Sequence, residues 1–231
     1  MKYDVGLIDN GLNLNYFADV NHVKRNISID YNGMLFEGES TKWLTHGSIC
    51  AAIIKKYAPN SELTCINLKP HEGKISIQQL VFALETLINM DIKLINISMG
   101  FVSQCENISL KQVINRAFEK QCLIIASGNN FGIRSFPACY NTVIGVVQTP
   151  KIQLNCTKWS VVDSKATGID FSVNGSHELV KSDLLLYETP NASSFSACVM
   201  TANIFNILQE ELHIFDVLEM KSKLKKLITS D

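Results

Sequence analysis

Leu63-Thr-Cys-Ile-Asn-Leu68, then Ser76-Ile-Gln-Gln-Leu-Val-Phe-Ala-Leu-Glu-Thr-Leu-Ile88, then Ile92-Lys-Leu-Ile-Asn-Ile97 decide the fold class. The first and last are short apolar runs of strand length. In the middle piece Ile77, Leu80, Val81, Leu84, Leu87 and Ile88 fall at helical spacing behind a Ser76/Gln79 capping pair. The alternation continues outward on both sides. Leu110, Val113, Ile114 and Phe118 mark a helix begun at Ser109, and Leu123 to Ala126 is the next strand. Upstream, Val5 to Ile8 reads as a buried strand, Ile27 to Glu37 as a hairpin turning at Asn32-Gly33, and Gly47 to Tyr57 as a helix.

Strands alternating with helices require right-handed crossovers. They therefore predict an α/β fold of three layers, a mostly parallel central sheet with helices on both faces. From Thr142 to Glu188 the pattern turns to short strand-like pieces and polar loops, followed by helices after Ser194 and after Asp216, the latter capped by Glu219. With no linker, repeat or second core, residues 1–231 are expected to form one domain.

Composition narrows the function. Lys plus Arg (21) and Asp plus Glu (22) leave a net charge of -1, which offers no electrostatic footprint for nucleic acid or an anionic membrane. Hydrophobic residues at 46% and charged ones at 19% exclude a disordered chain. Seven scattered cysteines without a CxxC pair, and no signal-like or membrane-length apolar segment, predict reduced thiols in a cytoplasm. Six Asn-x-Ser/Thr triplets carry no weight without a secretion signal.

Functional groups in such sheets gather at the carboxyl ends of strands and the helix starts that follow. Asp9 ends the first strand, His46 opens the first long helix, Asn129 follows the strand Leu123 to Ala126, and Ser194 starts a later helix. A serine hydroxyl needs a base to take its proton, and the base needs a carboxylate to hold its tautomer. Singly, each of these is an ordinary cap or turn residue. Their joint order is what points to chemistry.

Several stretches resemble the subtilisin-like serine peptidases: Val5-Gly-Leu-Ile-Asp9-Asn-Gly11, His46-Gly-Ser-Ile-Cys-Ala-Ala52, Ile95-Asn-Ile-Ser-Met-Gly100, Ala126-Ser-Gly-Asn129, Phe136-Pro-Ala138 before Val143-Ile-Gly-Val146, and Ser193-Ser-Phe-Ser-Ala197. The chain order Asp, His, Ser is that of subtilisin. The resemblance implies a serine endopeptidase with Asp9, His46 and Ser194 as triad and Asn129 as oxyanion donor. It implies an extended peptide or protein substrate lying between Ser98-Met99-Gly100 and the segment after Leu68. No cofactor is expected, and because the sequence holds no dense cluster of Asp or Glu with loop glycines, no metal site is expected either, although many members bind calcium. The pocket for the residue before the scissile bond would be walled by Ser98 to Gly100 and by Ala126, Ser127 and Gly128, with a floor from the loop ahead of Phe136-Pro137. Arg134 in that loop is either a selector of an acidic or polar side chain or a solvated loop arginine.

Four departures accompany the likeness. Ala192-Ser193-Ser194 replaces Gly-Thr-Ser, and alanine lacks glycine's freedom at positive φ. A shifted register would make Ser193 the nucleophile, whereas the following Phe-Ser-Ala favours Ser194. Asn10 replaces a Ser or Thr, and Cys198 stands where many members have proline. Eight residues precede Asp9, too few for the pro-segment of secreted members, so unaided folding is expected. In its compactness and missing pro-segment the chain resembles the small stand-alone subtilisin-like peptidases that remove leader segments from ribosomally made peptides such as lanthipeptides, and such a role is expected. The competing readings are a general intracellular peptidase, a weak or inactive peptide-binding scaffold, and a thiol enzyme using Cys50 or Cys198. A nucleotide-binding domain is disfavoured, because Asp9-Asn10-Gly11-Leu12 lacks GxGxxG spacing. His22, His71, His177 and His213 lack ligand spacing and read as ordinary polar residues.

Overall fold

A computed structural model describes residues 4–17, 23–103, 105–164, 166–211 and 216–228; His22 and His213 lie outside them. The strands are β1 (Asp4–Asp9), β2 (Arg25–Ile29), β3 (Leu35–Glu37), β4 (Glu62–Leu68), β5 (Leu94–Ile97), β6 (Leu123–Ser127), β7 (Ile144–Gln148), β8 (Trp159–Ser164), β9 (Ile169–Val173), β10 (Glu178–Val180) and β11 (Leu186–Glu188). The helices are α1 (His46–Tyr57), α2 (Ile77–Asn89), α3 (Ile108–Glu119), α4 (Ser193–Glu210) and α5 (Val217–Ile228). Among the described residues nine strands make one sheet in the order β3-β2-β4-β1-β5-β6-β7-β9-β8, and β10 pairs with β11 apart from it.

Every pairing from β2 across to β9 is parallel, while β3 and β8 close the two edges antiparallel. That is the α/β architecture the alternation predicts. Sheet strands covered on both faces read as continuous apolar runs, and β4, β5 and β6 are buried almost throughout. One apolar cluster, with α1, α4 and α5, packs on one face; α2 and α3 pack on the other through Leu84, Leu87, Leu110 and Ile114. Truncating a fully buried leucine such as Leu84 to alanine costs about 2–5 kcal/mol.

Local signals set the element ends. Ser76 and Gln79 form the reciprocal capping box expected of them. The helix expected to begin at Ser109 instead starts at Ile108, because the Asn107 side chain accepts the Leu110 N–H and takes the cap one position earlier. At the last helix Asp216 Oδ1 accepts from the N–H groups of Leu218 and Glu219, and Glu219 Oε2 accepts the Asp216 N–H. The hairpin turns where Asn32-Gly33 predicts, with Gly33 at φ 85 and Asp30 Oδ1 accepting from Asn32 N–H and Met34 N–H. No described helix is long and apolar enough to cross a membrane.

Candidate active site

Asp9 is the last residue of β1, His46 the first of α1, and Ser194 the second of α4. All three therefore fall at the carboxyl edge of the parallel sheet. The start of α1 is laced to the loop after β1. Thr45 caps it by accepting the Ser48 N–H and donates its hydroxyl to Gly11 O at 2.6 Å, while Ser48 Oγ accepts the Asn13 N–H at 2.7 Å. Asn10, the unusual neighbour of the aspartate, accepts the Gly47 N–H through its Oδ1 at 3.2 Å. The close approach of α1 to β1 requires glycine at position 47, since a Cβ there would collide with the Gly11 carbonyl oxygen and stand 3.0 Å from Asp9 Cβ.

His46 Nδ1 lies 3.0 Å from both carboxylate oxygens of Asp9, and His46 Nε2 lies 2.8 Å from Ser194 Oγ. Asp9 is 3% exposed, and its Oδ1 also accepts the Asn10 N–H at 2.8 Å. The Phe195 ring stacks on the imidazole at 5.1 Å between centroids. Burial favours the neutral imidazole, but the charge and hydrogen bond of Asp9 outweigh it and raise the His46 pKa to about 9. At neutral pH the resting imidazole is thus largely protonated, and the form able to accept the serine proton grows as pH rises.

The two serines of the register question are separated by their partners. Ser193 is buried and donates its backbone N–H to Asn130 Oδ1 at 2.9 Å; its Oγ bonds the Gln148 side-chain oxygen and accepts the Gln148 N–H at 3.3 Å. Ser194 is the one that faces His46. Ala192 sits at the helix cap with φ -142 and ψ 147, extended backbone that alanine adopts without strain, so this departure from glycine is absorbed. The close contact has moved to Gly175, where a Cβ would stand 2.7 Å from Ala192 N.

Asn129 Oδ1 accepts the Phe131 N–H at 2.8 Å, which leaves the amide nitrogen as the donor end of the side chain. Asn129 and Ser194 line one cavity of about 220 Å³ together with Ser98, Met99, Gly100, Ser127, Gly128, Asn130 and Ser135. The backbone N–H of Ser194 lies in the first turn of α4, where no earlier carbonyl of the helix is available to it. A carbonyl oxygen placed between that N–H and the Asn129 amide meets two donors and the positive end of a helix dipole.

Ala126, expected in the wall, and Arg134, expected in the loop that forms the floor, do not line this cavity. Ala126 is fully buried in the cluster under α2 and α3, one residue behind the wall. Arg134 lines a separate shallow cavity with Glu106, Lys111 and Tyr140, its guanidinium 5.3 Å over the Phe136 ring and 3.7 Å from Glu106, so charge pairing and ring contact turn it away from Ser194. Asn130, Ser135, Gln148 and Phe195 were not singled out from the sequence. Phe195 and Asn130 come to the site as chain neighbours of Ser194 and Asn129, whereas Ser135 and Gln148 are brought there by tertiary contact.

Among the described residues Asp9, His46 and Cys50 form a group of possible metal ligands, but Asp9 and His46 are already joined through the same atoms. Cys50 Sγ lies 3.6 Å behind His46 Nδ1. Burial pushes its thiol well up, which keeps it protonated and argues against a thiolate nucleophile there. Cys198 is buried and donates to Ser194 O at 3.2 Å, packing behind the serine in the place of a proline. His177, fully buried, is held neutral, its pKa lowered to about 4 chiefly by burial. It lies 3.0 Å from Asn174 O and 2.8 Å from Tyr57 Oη, a structural role. His71 lies in a turn, bridged to Lys74 through the backbone.

Comparison with known proteins agrees with the geometry. The minor extracellular protease Epr of Bacillus subtilis is 21% identical over 174 residues, covering 73% of this chain but only 26% of its own length. Thus the chain spans about a quarter of that curated relative. A solved lanthipeptide protease superposes with a TM-score of 0.73 at 17% identity, covering 95% of this chain and 78% of that one. The epidermin leader peptide processing serine protease EpiP from Staphylococcus aureus superposes at 0.71 with 14% identity, covering 99% and 68%. The subtilase family profile matches residues 2–229, and the chain belongs to that family.

Proposed function

We propose that the protein is a serine endopeptidase using Asp9, His46 and Ser194 as its triad and Asn129 as an oxyanion donor. The observation that carries this reading is the continuous hydrogen-bonded line from Asp9 through His46 to Ser194 Oγ. In the reaction Ser194 Oγ attacks the peptide carbonyl carbon while its proton passes to His46 Nε2. Asp9 holds the ring and stabilises the imidazolium. The oxyanion is received by the Asn129 amide and the Ser194 N–H. Collapse passes the proton to the leaving amine and leaves an acyl ester on Ser194, which water then hydrolyses with His46 as base. The substrate lies extended along Ser98-Met99-Gly100, where main-chain hydrogen bonds hold it and side-chain pockets discriminate.

The biological role that fits best is a dedicated maturation protease that removes a leader from a ribosomally made peptide, acting where thiols stay reduced. Its support is the likeness to the lanthipeptide protease and to EpiP over nearly the whole of this chain, together with seven free cysteines. The extended backbone at Ala192 supports catalysis over a silent peptide-binding scaffold.

The test is mass spectrometry of a peptide library and of leader-containing precursor peptides, incubated with wild type and with Ser194→Ala. A single cut at the leader boundary, absent in the variant, is expected. Cleavage that persists in Ser194→Ala overturns the nucleophile, and indiscriminate cleavage of unrelated peptides overturns the dedicated role.

A further inference from the structure

A polar oxygen shut away from water without a partner is costly, so native proteins rarely keep one, and each such group calls for an explanation. Among the described residues Ser28 Oγ, Ser135 Oγ and Tyr140 Oη are buried without a hydrogen-bond partner. Of these, the Ser135 hydroxyl alone belongs to a residue lining the cavity beside Ser194. Ser135 is 2% exposed.

Its position is fixed from both sides. Phe136 exchanges two backbone hydrogen bonds with Phe101, at 2.8 and 2.9 Å, which ties the loop carrying Ser135 to the chain just beyond Ser98-Met99-Gly100. The Ser135 carbonyl accepts the Cys139 N–H at 3.1 Å. A Cβ added at Gly100 would stand 3.4 Å from Ser135 Oγ and 3.3 Å from Ser127 O, so the hydroxyl sits at the junction of the two walls. Opposite Gly100, Gly128 packs so tightly on Val147 and Ile169 that a Cβ there would be 2.7 Å from each. Ser98 is likewise held, its Oγ accepting from Asn96 Nδ2 at 2.6 Å.

The cavity adjoins both Ser194 and Asn129, so it takes the side chain of the residue whose carbonyl is attacked. Its lining contains Ser98, Ser127, Asn129, Asn130 and Ser135 and no ionisable residue. An ionised side chain entering it loses water and meets no counter-charge. An aliphatic side chain enters but leaves the Ser135 hydroxyl unpaired. A carboxamide is neutral and both donates and accepts, which matches a hydroxyl able to do the same.

We propose that this cavity selects a carboxamide side chain, glutamine or asparagine, before the scissile bond, with Ser135 Oγ as the specificity-determining group; this rests on the serine endopeptidase reading above. The test compares four otherwise identical peptides carrying Gln, Asn, Glu or Met at that position. For wild type, kcat/KM for the better carboxamide should exceed that for Glu and for Met by at least about tenfold, since a site built to bond a polar substrate group discriminates against analogues lacking it. In Ser135→Ala the carboxamide-to-Met ratio should fall to within about threefold of unity.

Equal cleavage of Met or Glu by wild type, or a carboxamide preference that survives Ser135→Ala, overturns the assignment. Binding of product-like peptides ending in Gln, Asn, Glu or Met to Ser194→Ala reads the cavity independently of turnover. A carboxamide preference there without any hydrolysis by wild type keeps the pocket and removes the endopeptidase reading. Hydrolysis without a preference does the opposite.

Discussion

His46 Nε2 and Ser194 Oγ stand 2.8 Å apart although 148 residues separate them in the chain. Their helices, α1 and α4, lie on the same face of the sheet, so the contact is made by helix packing and not by local sequence. A fluorophosphonate probe should label Ser194 in the wild type. Ser194→Ala should lose labelling and at least about a thousandfold of peptidase activity. Ser193→Ala, which removes only the bonds to Gln148, should still be labelled; loss of labelling in Ser193→Ala with retention in Ser194→Ala would reverse the assignment.

Asn129 holds its amide oxygen on the Phe131 N–H, so its nitrogen is the group presented to a developing oxyanion. Asn129→Ala should lower kcat by about 100- to 1000-fold, the loss found when such a donor is removed. KM should change little. A loss confined to KM would make Asn129 a ground-state contact instead.

The raised pKa of His46, about 9 against an ordinary 6.5, predicts a displaced pH profile. Since the neutral ring is the base, kcat/KM should rise with pH along a limb whose midpoint lies well above 6.5. Asp9→Asn should move that midpoint down and cut the rate by roughly 10⁴-fold. The same shift sets a stability trend. Protonated His46 stabilises the folded state fully below about pH 6.5, and that contribution disappears as pH rises through about 9. Wild type should therefore lose stability relative to Asp9→Asn across this window; parallel curves in denaturant titrations would contradict it.

Gly47 offers a case in which helix propensity and tertiary contact disagree. Propensity alone makes Gly47→Ala stabilising by about 1 kcal/mol. The added Cβ, however, meets the Gly11 carbonyl oxygen and crowds Asp9. The substitution should lower the melting temperature and the activity together, and a rise in melting temperature would show that the loop after β1 yields more easily than its hydrogen bonds suggest.

Lys221 ties α5 to the sheet through Asp170, 2.9 Å away and largely covered from water. Asp170 Oδ2 also accepts the Gly145 N–H at 2.9 Å. Breaking one side of a buried pair costs about 3–5 kcal/mol, and the residual exposure here lowers that, so Asp170→Ala should cost about 2–3 kcal/mol. Chemical denaturation measures it, with catalysis in the folded fraction expected to persist.

Much of this architecture is legible in the chain because it rests on short-range physics. The apolar run Leu63–Leu68 and the Leu94–Ile97 part of Ile92–Ile97 are strands because their length and composition suit burial on both faces. Ser76, Gln79 and Asp216 mark helix starts because a side chain can satisfy N–H groups only a few residues away. The start at Ser109 was misplaced by one position for the same local reason, Asn107 being the stronger competitor for the cap.

Sequence by itself determined the order of elements as far as β6 and again from α4 onward, the mostly parallel sheet, and the positions of Asp9, His46, Asn129 and Ser194 at strand ends and helix starts; β7 to β11 were legible only as short strand-like pieces. It left open which serine meets the imidazole, because neighbouring hydroxyls differ only in the direction they point. Only the tertiary structure decided that Ser193 is held by Gln148 and Asn130, that Arg134 turns to Glu106, and that Ser135 closes the cavity with an unpaired hydroxyl. Those outcomes depend on partners remote in the chain, and long-range packing, unlike capping or periodicity, leaves no local mark on the sequence.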